Sequence, residues 1–188
     1  MVEPERCVTT VVVAGSVVLT PTGRAFDYRA PEPGACATSI ADSLVLATSG
    51  EDIRASLVLE RWSGRPPESR YPELAHSAGS AAAGEPDASV ELEWQLSAPD
   101  PLIAHVIDYG ASPLACQVGL TAGTWKVRVS CWNQDATGRF SDEVLGTSDE
   151  ITLDQTAGEV PDEDLFPLGP EVWLVQLWPQ TASEPAIH

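Results

Sequence analysis

One lysine, Lys126, and one asparagine, Asn133, are all that this chain of 188 residues has of either. Cations stop at Arg139: the 49 residues beyond it hold eleven carboxylates and no Lys or Arg. Those acids make up more than half of the net charge of -18. A balance this one-sided repels nucleic acid and membrane surfaces, so neither is expected as a direct partner, and it speeds encounter with a cationic protein. Long apolar runs are also missing, and no stretch approaches the roughly 20 residues of a membrane-spanning helix. The most apolar stretch, residues 8–19, follows Glu3 and Glu5, is interrupted by Thr9, Thr10, Gly15 and Ser16, and leads to no small-residue cleavage site. It does not read as a secretory signal, and the cytoplasm is the expected compartment.

Catalytic side chains are scarce. Of three histidines, His188 is terminal and His76 lies in a stretch rich in Ala, Ser and Gly. His105 has apolar neighbours and, with Asp108 and Tyr109, the residue types of an acid/base pair. On a strand, however, positions 105 and 108 point to opposite faces, which favours a hydrogen-bonded strand histidine. The glycine spacing of Gly79-Ser-Ala-Ala-Ala-Gly84 matches a phosphate loop, but Glu85 stands where the lysine belongs and repels phosphate. No G-x-G-x-x-G, G-x-S-x-G or H-E-x-x-H occurs, and Ser112 has no partner legible in the sequence.

Cys7, Cys36, Cys116 and Cys131 are far apart, with no C-x-x-C pair and no His at ligand spacing, which argues against zinc. In a cytoplasm they should be buried thiols; in an oxidising compartment two disulfides become possible, in any of three pairings. The run Pro161-Asp-Glu-Asp-Leu offers carboxylate oxygens to Ca²⁺ but lacks the alternating acids, central Gly and terminal Glu of a calcium loop. The expectation is a chain without catalytic activity, cofactor or metal.

What is present is strand patterning. Fourteen Gly and 16 Pro in a chain that is 43% apolar predict many turns around a real core. In residues 124–132, Trp125, Val127, Val129 and Cys131 share one face, and Lys126, Arg128 and Ser130 the other. In residues 89–96, Val90, Leu92, Trp94 and Leu96 point inward and Glu91, Glu93 and Gln95 outward. Residues 171–178 are apolar on both faces, as in a central covered strand, between Pro170 and Pro179. Weaker candidates are 8–13, 16–20, 25–29, 42–48, 53–62, 102–107 and 115–120. The expected fold is an all-β, antiparallel, jelly-roll-like β-sandwich in one domain over residues 1–188. An Ala/Gly/Pro-rich surface loop (64–88) and an acidic loop (142–170) are expected to interrupt it.

The acidic loop is the expected contact surface for a basic protein partner, through Asp142, Glu143, Asp149, Glu150, Asp162, Glu163 and Asp164. The competing reading is that these residues only keep the chain soluble. Six tryptophans are present. Trp94 and Trp125 fall on apolar faces and read as core, whereas Trp62 and Trp132 end strands on the polar side. Those two are the candidates for exposure, with Trp132 as the apolar anchor of the contact surface.

The C-terminal pattern, Gly123-Thr-Trp-Lys-Val-Arg-Val129 followed by Glu171-Val-Trp-Leu-Val-Gln-Leu-Trp-Pro179, resembles small acidic bacterial β-sandwich proteins in which a G-x-[YW]-[RK]-V-R-V strand precedes a Q-L-W-P ending. It also resembles the competence protein J type, acidic inhibitors of a DNA-entry nuclease. The resemblance covers about fifty residues, carries no catalytic motif, and implies a binding protein such as an immunity protein or nuclease inhibitor. The alternatives are a structural subunit of a bacterial assembly and, behind it, a sugar-binding module or enzyme on a jelly-roll fold, since sandwiches host unrelated functions.

Overall fold

Short period-two segments separated by Pro and Gly favour strands over helices. The computed structural model describes residues 3–13, 15–22, 26–50, 53–72, 84–99, 102–106, 110–114, 117–137 and 168–180. These contain β1 (Glu5–Val12), β2 (Val17–Pro21), β3 (Ala37–Ile40), β4 (Ser43–Leu46), β5 (Arg54–Arg61), β6 (Ala88–Leu96), β7 (Leu102–Val106), β8 (Gly110–Pro113), β9 (Gly123–Trp132) and β10 (Leu168–Pro179). One helical turn, residues 134–137, follows β9.

Two five-stranded sheets result, with orders β1-β5-β10-β9-β6 and β3-β4-β2-β7-β8. Facing each other, they bury one continuous cluster that includes Leu19, Leu44 and Leu46 from the second sheet and Leu57, Trp94, Val127, Trp173 and Leu177 from the first. Each fully buried large aliphatic side chain contributes about 1.5–3 kcal/mol. The architecture is an all-β sandwich, as the alternation predicted. One pairing departs from a wholly antiparallel arrangement, because β5 and β10 run parallel, Leu57 opposite Trp173. Parallel neighbours need a long connection, and β6 to β9 lie in the chain between them. A register shift between Leu168 and Val172 accommodates Pro170, which cannot donate to a ladder.

Some strand expectations are corrected. Residues 26–30 are irregular, with Phe26 and Tyr28 exposed, because Pro31 and Pro33 close off a ladder there. Residues 117–120 are irregular too. Gln117 imitates a strand partner with its side chain, accepting from Leu102 N (2.8 Å) and donating to Leu102 O (3.0 Å). Two strands escaped the reading: β3, short and half polar, and β8, whose Gly and Pro carry little strand propensity.

The sulfur chemistry also departs in part. Cys36 and Cys131 are buried free thiols, but Cys7 is disulfide-bonded. Among the described residues, no helix is long and apolar enough to cross a membrane.

Candidate functional site

The outer face of the first sheet carries one polar row across all five strands. Register places Arg6 opposite Glu60, Glu60 beside Gln176, Gln176 opposite Arg128, and Arg128 opposite Glu91. Outward positions recur every second residue, so one polar residue per strand at matching register suffices to build the row. Arg6 Nη2 donates to Glu60 Oε1 at 2.6 Å, and Gln176 Nε2 and Trp62 Nε1 each donate to Glu60 Oε2 at 3.0 Å. Arg128 grips Glu91 Oε1 through Nε (2.9 Å) and Nη2 (2.6 Å), and its guanidinium lies 5.8 Å from the centre of the Trp178 ring. Arg128 and, more weakly, Arg65 hold the Glu91 carboxyl below the usual carboxylate range, against the effect of burial.

The middle of this row is buried although it lies on an outer face, while Arg6 and Glu91 at its ends are exposed. Residues 63–72 cross it: Arg128 Nη1 donates to Pro67 O (2.6 Å), Ser69 Oγ donates to Gln176 Oε1 (3.2 Å), and Ser130 Oγ donates to Ser69 Oγ (2.8 Å). Glu60, Gln176 and Arg128 retain only 5%, 3% and 8% exposure. Beside the row, Val58, Val172, Leu174 and Trp132 form a small second core covered by Val8 and Tyr71. The crossing segment leaves a cavity of about 230 Å³, lined by residues that include Arg6, Trp62, Arg70 and Tyr71, and another of about 340 Å³ beside Lys126 and Trp178.

Six cations of the described body pair with carboxylates. Arg6, Arg29, Arg61, Arg65, Lys126 and Arg128 pair with Glu60, Glu32, Glu5, Glu91, Glu93 and again Glu91. Such self-neutralised pairs hold a surface together. His105, on β7, stacks at 4.5 Å on Phe26, and burial lowers its pKa. Its Nε2 has no hydrogen-bond partner among the described residues. Asp108 and Tyr109 lie outside the described residues. Among the described residues no group of three His, Cys, Asp or Glu side chains could hold a metal.

A different polar group lies inside the sandwich. Glu171, fully buried at the start of β10, faces inward like Trp173; its Oε1 accepts from Trp173 Nε1 (2.8 Å) and Ser49 N (3.3 Å), while Oε2 and the Ser49 hydroxyl have no satisfactory partner. Burial pushes the carboxyl pKa up, against these donors. Above the ordinary carboxylate range and up to the raised value, the folded state holds a proton that the unfolded state has lost, so stability falls as pH rises through that window. Glu171→Gln is therefore expected to stabilise the protein at neutral pH by about 1–3 kcal/mol, the cost of an unsatisfied buried group. The gain should vanish in thermal melts below the ordinary carboxylate range, and an equal gain at all pH values would refute the ionisation argument.

Of the expected contact residues, Asp142, Glu143, Asp149, Glu150, Asp162, Glu163 and Asp164 lie outside the described residues. Trp132 is described and is not exposed. It retains 1% exposure, meets Tyr71 edge to face at 5.8 Å, and donates Nε1–H to Gly84 O at 3.0 Å. Its position on the outward face was legible, but the covering segment was not. Trp62 is half-buried. Sequence reasoning also missed Glu60, Gln176 and Arg128 as a unit. Their alternation was the available signal, but strand order was needed to align them.

No family model matches the chain, and no curated protein matches it. Among solved structures it is similar to ComJ from Bacillus subtilis, described as an inhibitor of the DNA degrading activity of NucA. The TM-score is 0.50 at 6% identity, covering 96% of this chain and 99% of that one. It is also similar to the crocagin biosynthetic gene J protein, at TM-score 0.48 and 12% identity over 94% and 99% of the two chains. The ComJ likeness spans both sheets, so what the two proteins share is the sandwich fold.

Proposed function

We propose that the chain is a non-catalytic acidic interaction module, an immunity protein or nuclease inhibitor that binds a basic partner through Asp142, Glu143, Asp149, Glu150, Asp162, Glu163 and Asp164. The carrying observation is the distribution of charge. The described body pairs six of its cations with its own carboxylates, whereas the chain past Arg139 has eleven acids and no Lys or Arg to offset them. That segment leaves from β9 and returns to β10, neighbours in the middle of one sheet, so a rigid platform carries both of its ends. Negative potential on such a platform raises the rate of association with a basic protein and covers the surface that protein uses for an anionic substrate. A sandwich of this fold serves as an inhibitor in ComJ, so the architecture suits the role. In this reading Trp132 acts beneath the surface, supporting Tyr71. The assigned compartment is the cytoplasm, where the Cys7 disulfide would need protection from reducing thiols.

The test is capture by the tagged protein from its host's lysate at low and moderate salt, followed by assay of DNA degradation by the captured partner. A basic partner is expected, inhibited by the chain. Converting Asp162→Asn, Glu163→Gln and Asp164→Asn together should slow its association about 10-fold or more. A partner unaffected by both salt and the triple substitution overturns the reading.

A further inference from the structure

Cys36 and Cys131 are 95 positions apart in sequence and approach from opposite sheets, yet both lie in the one core cluster inside the sandwich. Cys36 immediately precedes β3, an edge strand, and its Sγ–H donates to Val129 O (3.5 Å) on β9. Cys131, two residues on along the same inward face of β9, donates towards Ala88 O (3.8 Å) and Gln134 Oε1 (3.4 Å). Interaction with Cys131 pulls the Cys36 thiol pKa down, against burial, and interaction with Cys36 pushes that of Cys131 far up, with burial adding to the rise. The pair is asymmetric, with Cys36 the sulfur that ionises first and Cys131 a proton donor beside it.

The surroundings fix Cys131 and leave Cys36 nearer an opening. Gln134 is anchored by Asp87 Oδ2 to its backbone N (3.0 Å) and by its own Nε2 to Ala47 O (2.6 Å). Cys36 lies where a largely exposed segment, residues 26–35, enters a four-residue edge strand. That strand is held on one side by β4, and Ser39 Oγ ties it to Glu93 O of β6, the edge of the other sheet. Short edge strands open locally at low free energy, which admits a small molecule to buried sulfur without global unfolding.

We propose that Cys36 and Cys131 form a redox-active dithiol that a small hydroperoxide oxidises to an inter-sheet disulfide. The Cys36 thiolate attacks one oxygen of hydrogen peroxide; the O–O bond breaks, the departing hydroxide takes the thiol proton to become water, and Cys36 carries a sulfenic acid. Cys131 then attacks Cys36 Sγ, the S–O bond breaks, and the sulfenic hydroxyl leaves as a second water with the Cys131 proton. Two electrons pass from the two sulfurs to the peroxide, and a thiol reductant reverses the product. The bond would clamp β3 to β9 and restrain the β3/β6 side of the sandwich.

The folded protein is treated with hydrogen peroxide, quenched with an alkylating agent under denaturing conditions, and digested without reductant. Mass spectrometry is expected to find Cys36 and Cys131 peptides linked, both free thiols lost, and Cys7 protected before and after. The thermal midpoint should rise by about 5 °C or more and return on reduction, because the new link closes a long loop. In Cys131→Ser, Cys36 should instead trap a sulfenic-acid probe; should that variant not fold, Cys36→Ala, at the edge strand, must abolish the link and leave Cys131 alkylated. Alkylation of both thiols after peroxide, or oxidation of Cys36 beyond sulfenic acid with Cys131 still free, overturns the proposal.

Discussion

Replacing Trp173 by alanine is expected to lower the free energy of unfolding by about 3–5 kcal/mol, measured by denaturant titration at neutral pH. Trp173 is fully buried on β10, between β5 and β9, and its ring belongs to the cluster shared by both sheets. Truncation removes that apolar area from a site the surrounding strands cannot collapse to fill. A second loss is specific to this position. The indole N–H is a donor to the buried Glu171 carboxylate, at 2.8 Å, and alanine leaves that charge with the Ser49 amide and the neighbouring Gln134 side chain as support.

Trp173→Phe separates the two contributions. It keeps much of the volume but not the donor, so it should cost less at acidic pH and more as pH rises. The lost donor lifts the Glu171 pKa further and widens the window in which the folded state must hold a proton. A phenylalanine variant with the same pH profile as the parent would show that the indole contributes by packing alone.

Glu60→Ala is the second large effect, about 3 kcal/mol, from a residue that a helical wheel or hydropathy plot would place at the surface. Its carboxylate is the shared acceptor for Arg6, Trp62 and Gln176 beneath residues 63–72. Removing it strands the buried Gln176 amide, an unpaired donor that pays its desolvation cost, and takes the acceptor from the half-buried Trp62 N–H. Arg6→Ala, on the other side of the same ion pair, is expected to cost under about 1 kcal/mol, because Arg6 is 41% exposed and Glu60 keeps its other two donors. Similar losses for the two variants would mean that water reaches Glu60 and that the crossing segment does not seal the row.

The residues that show where reading the sequence succeeds are those whose environment is decided locally. Trp94, Trp125, Val127 and Val129 alternate with charged neighbours, and a strand with one wet face can put them only in the core. Glu171–Trp178, apolar on both faces, was legible as a covered central strand for the same reason. Alternation could not reveal what covers it. The outward Val172 and Leu174 are buried by Tyr71 and Val8, which arrive from a loop and from an edge strand two positions away in the sheet. That is also why Trp132, outward by parity, is not exposed.

The candidate site divides along the same line. The acidic tract past Arg139 is a property of composition, and charge is additive along a chain whatever its fold, so its place was readable directly. The polar row from Arg6 to Glu91 was not, because it joins strands whose adjacency depends on sheet order, nor was the approach of Cys36 to β9, which depends on how the two sheets face each other. The sequence by itself determined that the chain makes short strands, which faces are apolar, and where its negative charge accumulates, since side-chain period and ionisation are local physics. Tertiary structure alone decided that β5 and β10 run parallel, that a loop buries Glu60, Gln176 and Arg128 on an outer face, and that two distant cysteines share one core. Such contacts are selected by the packing of two sheets as a whole, and no segment carries them in isolation.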